Sequence, residues 1–184
     1  EQYPMMRSFN SHHSRTLRRF ASARCTARNT DATLSRQHIA LERARAYYED
    51  VWSQGRLLKL NKIMAEAHEQ YDMVWQRNRA GLGRKTMMRG ILAYRSAYPD
   101  LAFRVQDITY SEQTHSVFVA WTARGTNLGF IRDQPPTQEV TEFSGISHLI
   151  FDDGNQIKAS FVYRQASAGE ERYFMGDNRS VLGS

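Results

Sequence analysis

Two titratable side chains in one predicted strand, Glu142 and His148, could move a proton in this chain. An imidazole titrates near neutral pH, and a carboxyl group in an apolar environment can keep its proton into that range. Tyr163, on the following predicted strand, carries a hydroxyl that could donate a hydrogen bond to a carbonyl oxygen. His148, Glu142 and Tyr163 are therefore candidate catalytic residues for acid–base chemistry.

Each of these residues also has a non-catalytic interpretation. His148 shares a strand face with Ile146 and Ile150 if the strand is regular, and that face could be the outer surface of the sheet or a dimer interface. Glu142 lies near a strand end, where a carboxylate is usually solvated. Tyr163 could be plain core. The sequence leaves these alternatives open.

Aromatic residues supply candidates for binding a flat, apolar molecule. Four of them are predicted to line a cavity: Tyr48, Trp52, Trp75 and Trp121. Gln76 follows Trp75 and could hydrogen-bond a carbonyl oxygen from the end of a strand. The alternatives are that the aromatic residues form ordinary core and that Gln76 faces water.

Several other chemistries lack their motifs. The glycine-bearing loop Asn78–Arg84 does not have the GxxxxGK[ST] spacing of a phosphate-binding loop, and no GxSxG nucleophile elbow occurs. The histidines show no HxxxH spacing, and Cys25 is the only cysteine. We therefore expect no metal site.

The elements that must position these residues follow from periodicity. Helices are predicted over Arg36–Trp52, Leu57–Ala67 and Lys85–Ala97, where apolar residues recur at helical spacing. Strands are predicted over Tyr71–Trp75, Leu101–Tyr110, Ser116–Arg124, Val140–Phe151 and Gln156–Tyr163. Asp152-Asp153-Gly154-Asn155 joins the last two strands as a hairpin turn. Helices followed by a run of strands predict an α+β fold, with a curved sheet closing over the helices and a cavity between them.

The charge distribution separates an N-terminal segment from the body. The net charge is +6, yet six of the 25 basic residues lie between Gln2 and Thr30, where there is no acidic residue. An Arg- and Ser-rich, acid-poor segment is typical of an organelle-targeting presequence. We expect residues 1–32 to direct the protein to the mitochondrion, with the chloroplast or cytoplasm as alternatives. A disordered basic extension without an address is the other interpretation.

The body of the chain is predicted to be one domain. Residues 33–165 carry the helices and strands, and residues 166–184 read as a polar C-terminal tail in which Tyr173-Phe174-Met175 could dock. The body is close to neutral, so we expect no nucleic-acid partner. No run of apolar residues has the length of a membrane span, so we expect no membrane partner.

Five stretches, in order, resemble the SnoaL-like polyketide cyclase family of the nuclear transport factor 2-like superfamily: YYEDVWSQGRLLKL, YPDLAFRVQDI, VFVAWTARGTN, PPTQEVTEFSGIS and FDDGNQI. The resemblance covers roughly residues 35–165. It implies a cone of strongly curved mixed or antiparallel sheet around about three helices, and a homodimer formed through the sheet. It also implies a hydrophobic small-molecule substrate with a carbonyl, and cofactor-free cyclase, isomerase or dehydratase chemistry.

The chain departs from the family pattern on the last strand, where the family's acid/base aspartate usually stands. The corresponding segment here reads Ala159-Ser160-Phe161-Val162, and no carboxylate follows before Glu170. The sequence therefore leaves a second hypothesis, in which the fold is a non-catalytic ligand-binding or dimerising scaffold.

Overall fold

The computed structural model describes residues 34–75 and 81–179 of the chain. The basic segment 1–32 and Gln76 lie outside the described residues, so the presequence and the role of Gln76 stay predictions. Contacts divide the chain into units Glu1–Arg36 and Gln37–Ser184. In the first unit the described residues, 34–36, are helical. The second unit holds everything that follows.

Helical segments lie before and after the first two strands of the described chain. Helix α1 spans residues 34–46 and continues as a π-helical segment, Tyr47–Trp52. The 3₁₀ turn Leu57–Lys59 then leads into the short helix α2, Leu60–Ile63. Helix α3 spans Arg84–Ala97 and begins after Gly83, whose φ of 83° is readily adopted only by glycine.

Six strands of the described residues form one mixed sheet. They are β1 (Met64–Asp72), β2 (Gly81–Leu82), β3 (Ala102–Ser111), β4 (Ser116–Thr126), β5 (Val140–Phe151) and β6 (Ile157–Arg164). Their order across the sheet is β2-β1-β6-β5-β4-β3. β1 and β6 are parallel, and all other neighbouring strands are antiparallel. This arrangement confirms the predicted α+β fold with a mixed sheet.

One face of the sheet, which we call the inner face, packs against α1 and α3. Along β4 the inner-face residues Val117, Val119 and Trp121 are buried and alternate with more exposed neighbours. The core residues of the helices include Tyr47, Tyr48, Val51, Met87 and Ile91. Burial of each large side chain contributes roughly 1.5–3 kcal/mol, so this contact stabilises the helices that enclose the site.

The region Leu57–Asp72 differs from its prediction. The expected helix Leu57–Ala67 ends at Ile63, and the strand expected at Tyr71–Trp75 instead occupies Met64–Asp72. Met64 pairs with Ile157 across β1 and β6, and both side chains are fully buried. Parallel pairing with β6 therefore overrides the local helical pattern.

The C-terminal segment is a helix where the sequence indicated a polar tail. Helix α4 spans Ala168–Arg179. Ser167 and Glu170 form its N-terminal cap, because the Ser167 backbone N–H donates to Glu170 Oε2 at 2.8 Å and the Glu170 N–H donates to Ser167 Oγ at 3.4 Å. Tyr173 and Phe174 contact the ring of Trp75, with ring centroids 5.6 and 5.1 Å apart.

None of the helices in the described part of the chain has the length and apolar character needed to span a membrane.

Candidate functional site

A cavity of about 500 Å³ lies between the inner face of the sheet and the helices α1 and α3. Its walls are largely aromatic: Tyr48, Trp52, Trp75, Tyr94, Phe103 and Trp121 all line it. A volume of this size suits a small organic ligand. The walls therefore favour a molecule with a flat apolar surface.

The aromatic walls hold one another in place. The rings of Tyr48 and Trp121 stack with centroids 5.9 Å apart, and Phe103 contacts Trp121 at 4.9 Å. Trp121 also donates its indole N–H to Ser147 Oγ at 3.0 Å. Because Trp121 is fixed by stacking on one side and by a hydrogen bond on the other, the floor of the cavity is pre-organised.

Asp72 and Arg164 form the charged end of the cavity. Both residues line it, and Arg164 Nε donates to Asp72 Oδ2 at 2.9 Å. Asp72 Oδ1 accepts the backbone N–H of Val74 at 3.0 Å. The Asp72 side chain keeps 20% of its surface exposed, whereas that of Arg164 keeps 6%. A carboxylate oxygen can accept more than one hydrogen bond, so Asp72 retains acceptor capacity toward the cavity.

Glu170 of α4 binds the other edge of the same guanidinium. Arg164 Nη1 and Nη2 donate to Glu170 Oε2 and Oε1 at 2.8 and 2.7 Å. Trp75 donates its indole N–H to Glu170 Oε1 at 2.6 Å, and the Tyr94 hydroxyl donates to Oε2 at 3.2 Å. Glu170 is fully buried. Helix α4 thereby orients two residues that line the cavity, Trp75 and Arg164.

The two carboxyl groups have pKa values displaced in opposite directions. Burial raises the pKa of Asp72 above its ordinary value, against the opposing effect of Arg164. Burial alone would also raise the pKa of Glu170, but its hydrogen bonds to Arg164 hold that pKa below the ordinary value. Two carboxyl groups with separated pKa values are typical of acid–base sites.

A second polar group on β1 lies beside Asp72. Gln70 and Asp72 are two residues apart, so their side chains lie on the same, inner face, and both line the cavity. Ser160 of β6 pairs with Gln70 and donates its hydroxyl to Gln70 Oε1. Ser160 Oγ also lies 2.9 Å from Nε2 of the fully buried His68.

The structure brings four of the predicted binding residues together. Tyr48, Trp52, Trp75 and Trp121 all line the cavity, although their prediction as substrate-binding residues stays untested.

The three predicted catalytic residues lie on the other side of the sheet. His148 stacks on Phe118 with ring centroids 4.2 Å apart, Glu142 pairs with Arg124 and is exposed, and Tyr163 is 54% exposed. None of these three side chains lines the aromatic cavity, and their prediction as catalytic residues stays untested. On β5 the residues Phe143, Ser147 and Leu149 occupy the inner face, so Glu142 and His148 must point outward.

A family model for SnoaL-like polyketide cyclases matches residues 42–163, which is more than half of the chain. The chain belongs to the SnoaL-like polyketide cyclase family. A search of curated protein sequences found no match. The family match ends within β6, so α4 and Glu170 lie beyond it.

Solved structures share the fold at low sequence identity. A protein assigned as a SnoaL-like polyketide cyclase from Jannaschia sp. CCS1 is 15% identical over 70% of this chain and 87% of its own, with a TM-score of 0.62. A protein assigned as a polyketide cyclase from Acidithiobacillus ferrooxidans is 20% identical over 75% and 95%, with a TM-score of 0.59. IdmH from Streptomyces antibioticus is 18% identical over 68% and 91%, with a TM-score of 0.57.

Sequence analysis missed Gln70, Asp72, Arg164 and Glu170. One signal was available. Ser167-Ala168-Gly169-Glu170 has the spacing of a capping box and so predicts the start of a helix.

Proposed function

We propose that this member of the SnoaL-like family binds a flat, hydrophobic molecule with a carbonyl group and that Asp72 transfers a proton during its conversion. The reaction class is cyclase, isomerase or dehydratase chemistry that needs no cofactor. The observation that carries this proposal is the Asp72 carboxyl group, which lines an aromatic cavity and has a raised pKa. A base works best when its pKa approaches the working pH.

The proposed step is enolisation. An Asp72 oxygen takes a proton from the carbon next to the carbonyl, and the electron pair of the broken C–H bond forms a C=C bond while the carbonyl oxygen becomes negative. The proton is then returned to carbon or delivered to an oxygen of the product. Arg164 holds the Asp72 carboxylate from the side, through Nε at 2.9 Å, and so fixes its direction.

Asp72 also accounts for the departure from the family pattern. Val162, in the segment where the family's aspartate is expected, pairs directly with Asp72 across β6 and β1. Paired residues on neighbouring strands lie about 5 Å apart, so a carboxyl group on β1 can serve the space that one on β6 would serve. This supports transfer of the acid/base role from β6 to β1.

One observation favours the alternative of a ligand-binding scaffold without catalysis. Both oxygens of Asp72 and both oxygens of Glu170 accept hydrogen bonds from the protein itself. In that case the charged groups at the end of the cavity stabilise the fold, and the aromatic walls bind a ligand that leaves unchanged.

The outer face of the sheet supports a further proposal, a homodimer formed through this face. Three large apolar side chains are exposed there: Phe118 at 43%, Ile146 at 53% and Tyr163 at 54%. Neighbouring apolar side chains left in water commonly mark an interaction surface.

The test of the catalytic proposal is hydrogen exchange into a ketone. The bicyclic ketones 2-tetralone and 1-tetralone, which both carry hydrogens on a carbon next to the carbonyl, are incubated with the protein in D2O, and deuterium incorporation is followed by mass spectrometry. We expect the wild type to accelerate exchange for at least one ketone and Asp72→Asn to lower that rate at least about a hundredfold, the scale for loss of a general base. Glu66→Gln, which changes an exposed carboxylate on the same strand, should leave the rate unchanged. Binding of the ketones without exchange in the wild type would favour the scaffold.

A further inference from the structure

The inner face of β1 carries three polar side chains at every second position: His68, Gln70 and Asp72. The function proposed above uses only Asp72. A chain of contacts connects the other two through Ser160, because Ser160 Oγ lies 2.9 Å from His68 Nε2 and bonds to Gln70 Oε1. His68 and Ser160 are both fully buried, so this chain runs from the protein interior to the wall of the cavity.

The direction of the hydrogen bonds in this chain follows from proton counting. The Ser160 hydroxyl has one hydrogen, and Gln70 Oε1 can only accept, so that hydrogen goes to Gln70. His68 Nε2 must then be the donor to Ser160 Oγ, which makes Nε2 the protonated nitrogen of a neutral imidazole. Burial lowers the pKa of His68 to about 4, so the ring is neutral at physiological pH.

The reversed set of hydrogen-bond directions is less favourable because of the surroundings of His68 Nδ1. That nitrogen is buried and has no hydrogen-bond partner among the described residues. If the Gln70 amide were turned over, its nitrogen would donate to Ser160, Ser160 would donate to His68 Nε2, and the ring hydrogen would move to Nδ1. Nδ1 would then be a buried N–H without an acceptor, and such groups are rarer in proteins than buried acceptors without a donor. The chain therefore fixes the amide with its oxygen toward Ser160.

Gln70 Nε2 is consequently left with both hydrogens free. It has no acceptor among the residues that the structure describes, and Gln70 lines the cavity on the same strand face as Asp72. We propose that Gln70 is the donor that binds the substrate's carbonyl oxygen, and that His68 and Ser160 are positioning residues that aim its amide. This rests on the proposed function for the identity of the substrate. The proposal limits the substrate to molecules whose carbonyl oxygen accepts a hydrogen bond from the Gln70 amide while the carbon next to that carbonyl faces Asp72.

The role of Gln70 can be tested by binding alone, without turnover. The probes are 2-tetralone and tetralin, which share a bicyclic skeleton and differ in the carbonyl oxygen. Trp52, Trp75 and Trp121 line the cavity and are the only tryptophans of the chain, so quenching of tryptophan fluorescence reports on occupancy. We expect the wild type to prefer the ketone over the hydrocarbon, and Gln70→Leu to lower that preference about tenfold with tetralin affinity unchanged, the scale for one lost hydrogen bond.

A second variant separates positioning from folding. Ser160→Ala keeps Gln70 but releases its amide, so the preference for the ketone should fall to a value between those of the wild type and Gln70→Leu. Circular dichroism and the melting temperature establish whether each variant is folded. If Gln70→Leu does not fold, the ketone preference of Ser160→Ala is the test of the proposal. An unchanged preference for 2-tetralone in a folded Gln70→Leu variant, or in Ser160→Ala when Gln70→Leu does not fold, would overturn the proposal.

The outcome is independent of whether Asp72 is a base. If the wild type fails to exchange deuterium into any ketone but Gln70→Leu loses the preference for 2-tetralone, the catalytic proposal fails and the Gln70 site stands. If exchange depends on Asp72 but the preference does not depend on Gln70, the catalytic proposal stands and the Gln70 site fails.

Discussion

Asp72 and Glu170 compete for one guanidinium, and the competition decides which of them takes up a proton. Glu170 is fully buried and accepts two hydrogen bonds from Arg164 as well as bonds from Trp75 and Ser167. Asp72 receives a single bond from Arg164 and keeps a fifth of its side-chain surface exposed. Two negative charges share one positive charge, so the less strongly held carboxylate is protonated first. Asp72 is therefore the group suited to exchange a proton with a ligand.

The lowered pKa of His68 predicts a loss of stability at mildly acidic pH. Its pKa is about 4 in the folded protein, compared with 6.5 for an ordinary histidine. Between these values the unfolded chain binds a proton that the folded protein does not, so the free energy of unfolding falls as the pH falls from 6.5 toward 4. Over the whole range the free energy of unfolding falls by about 3 kcal/mol. Urea unfolding of the wild type and of His68→Gln at pH 7 and pH 4.5 should show the larger loss in the wild type.

The comparison with His68→Gln removes the contribution of the other titrating groups, which both proteins share. If the two proteins lost equal stability between pH 7 and pH 4.5, His68 would not be a buried neutral histidine.

Among the elements, α4 lies beyond the family match and yet provides the buried partner of Arg164. Its first turn is formed by Ser167 and Glu170, and the same Glu170 side chain reaches the cavity-lining residues Trp75 and Arg164. Glu170 thus belongs both to the helix cap and to the charged end of the cavity. A change to Glu170 should affect both the helix and the site.

Glu170→Ala leaves the Arg164 guanidinium buried with only Asp72 as a charged partner. Breaking a buried ion pair by removing one member typically costs about 3–5 kcal/mol, and we expect a loss of that size in urea unfolding. Glu171→Ala removes an exposed carboxylate at the next position of the helix. It should change the free energy of unfolding by less than about 0.5 kcal/mol. Equal effects of the two substitutions would show that Glu170 does not hold Arg164 in solution.

The elements also explain which parts of the site could be predicted from the sequence. Strand periodicity correctly places Glu142 and His148 on one face, but it cannot tell which face meets the helices. That choice depends on the packing of the sheet against helices that lie far from β5 in the sequence, as the core contacts of Phe143 and Leu149 with residues of α1 and α3 show. Asp72 was assigned to the start of a short strand because the sequence before it reads as a helix, and only its parallel pairing with β6 reveals that Gln70 and Asp72 share a face.

At the scale of the whole molecule, the fold was predictable because its signals are local and agree with one another. The hairpin between β5 and β6, the helices α1 and α3 and the strands β3 and β4 lie within a few residues of their predicted bounds. The cavity was predictable as a consequence of helices packed on a sheet, and its aromatic lining from Tyr48, Trp52 and Trp121. Its charged end was not, because residues from β1, β6 and α4 meet there only after folding.

The outer face of the sheet makes a prediction about assembly. If the protein is a homodimer through this face, sedimentation velocity at micromolar concentration should give the mass of two chains. Ile146→Glu places a charge among the exposed apolar side chains of this face and should give the mass of one chain, because burying an unpaired charge opposes association. Leu92→Glu, at an exposed position on α3, is the matched control and should remain dimeric. A monomeric wild type would contradict the proposed dimer.

The central claim is that Asp72 is the group that moves a proton in this cavity, and the pH dependence of ketone exchange tests it most directly. In the wild type the rate of deuterium incorporation should rise with pH through an apparent pKa above the ordinary range of an aspartate, since only the ionised carboxylate accepts a proton. In Asp72→Asn this increase with pH should be absent. At every pH the exchange rate should stay near the rate measured in buffer without protein. An Asp72→Asn variant that keeps the wild-type rate and the same pH dependence would contradict the account.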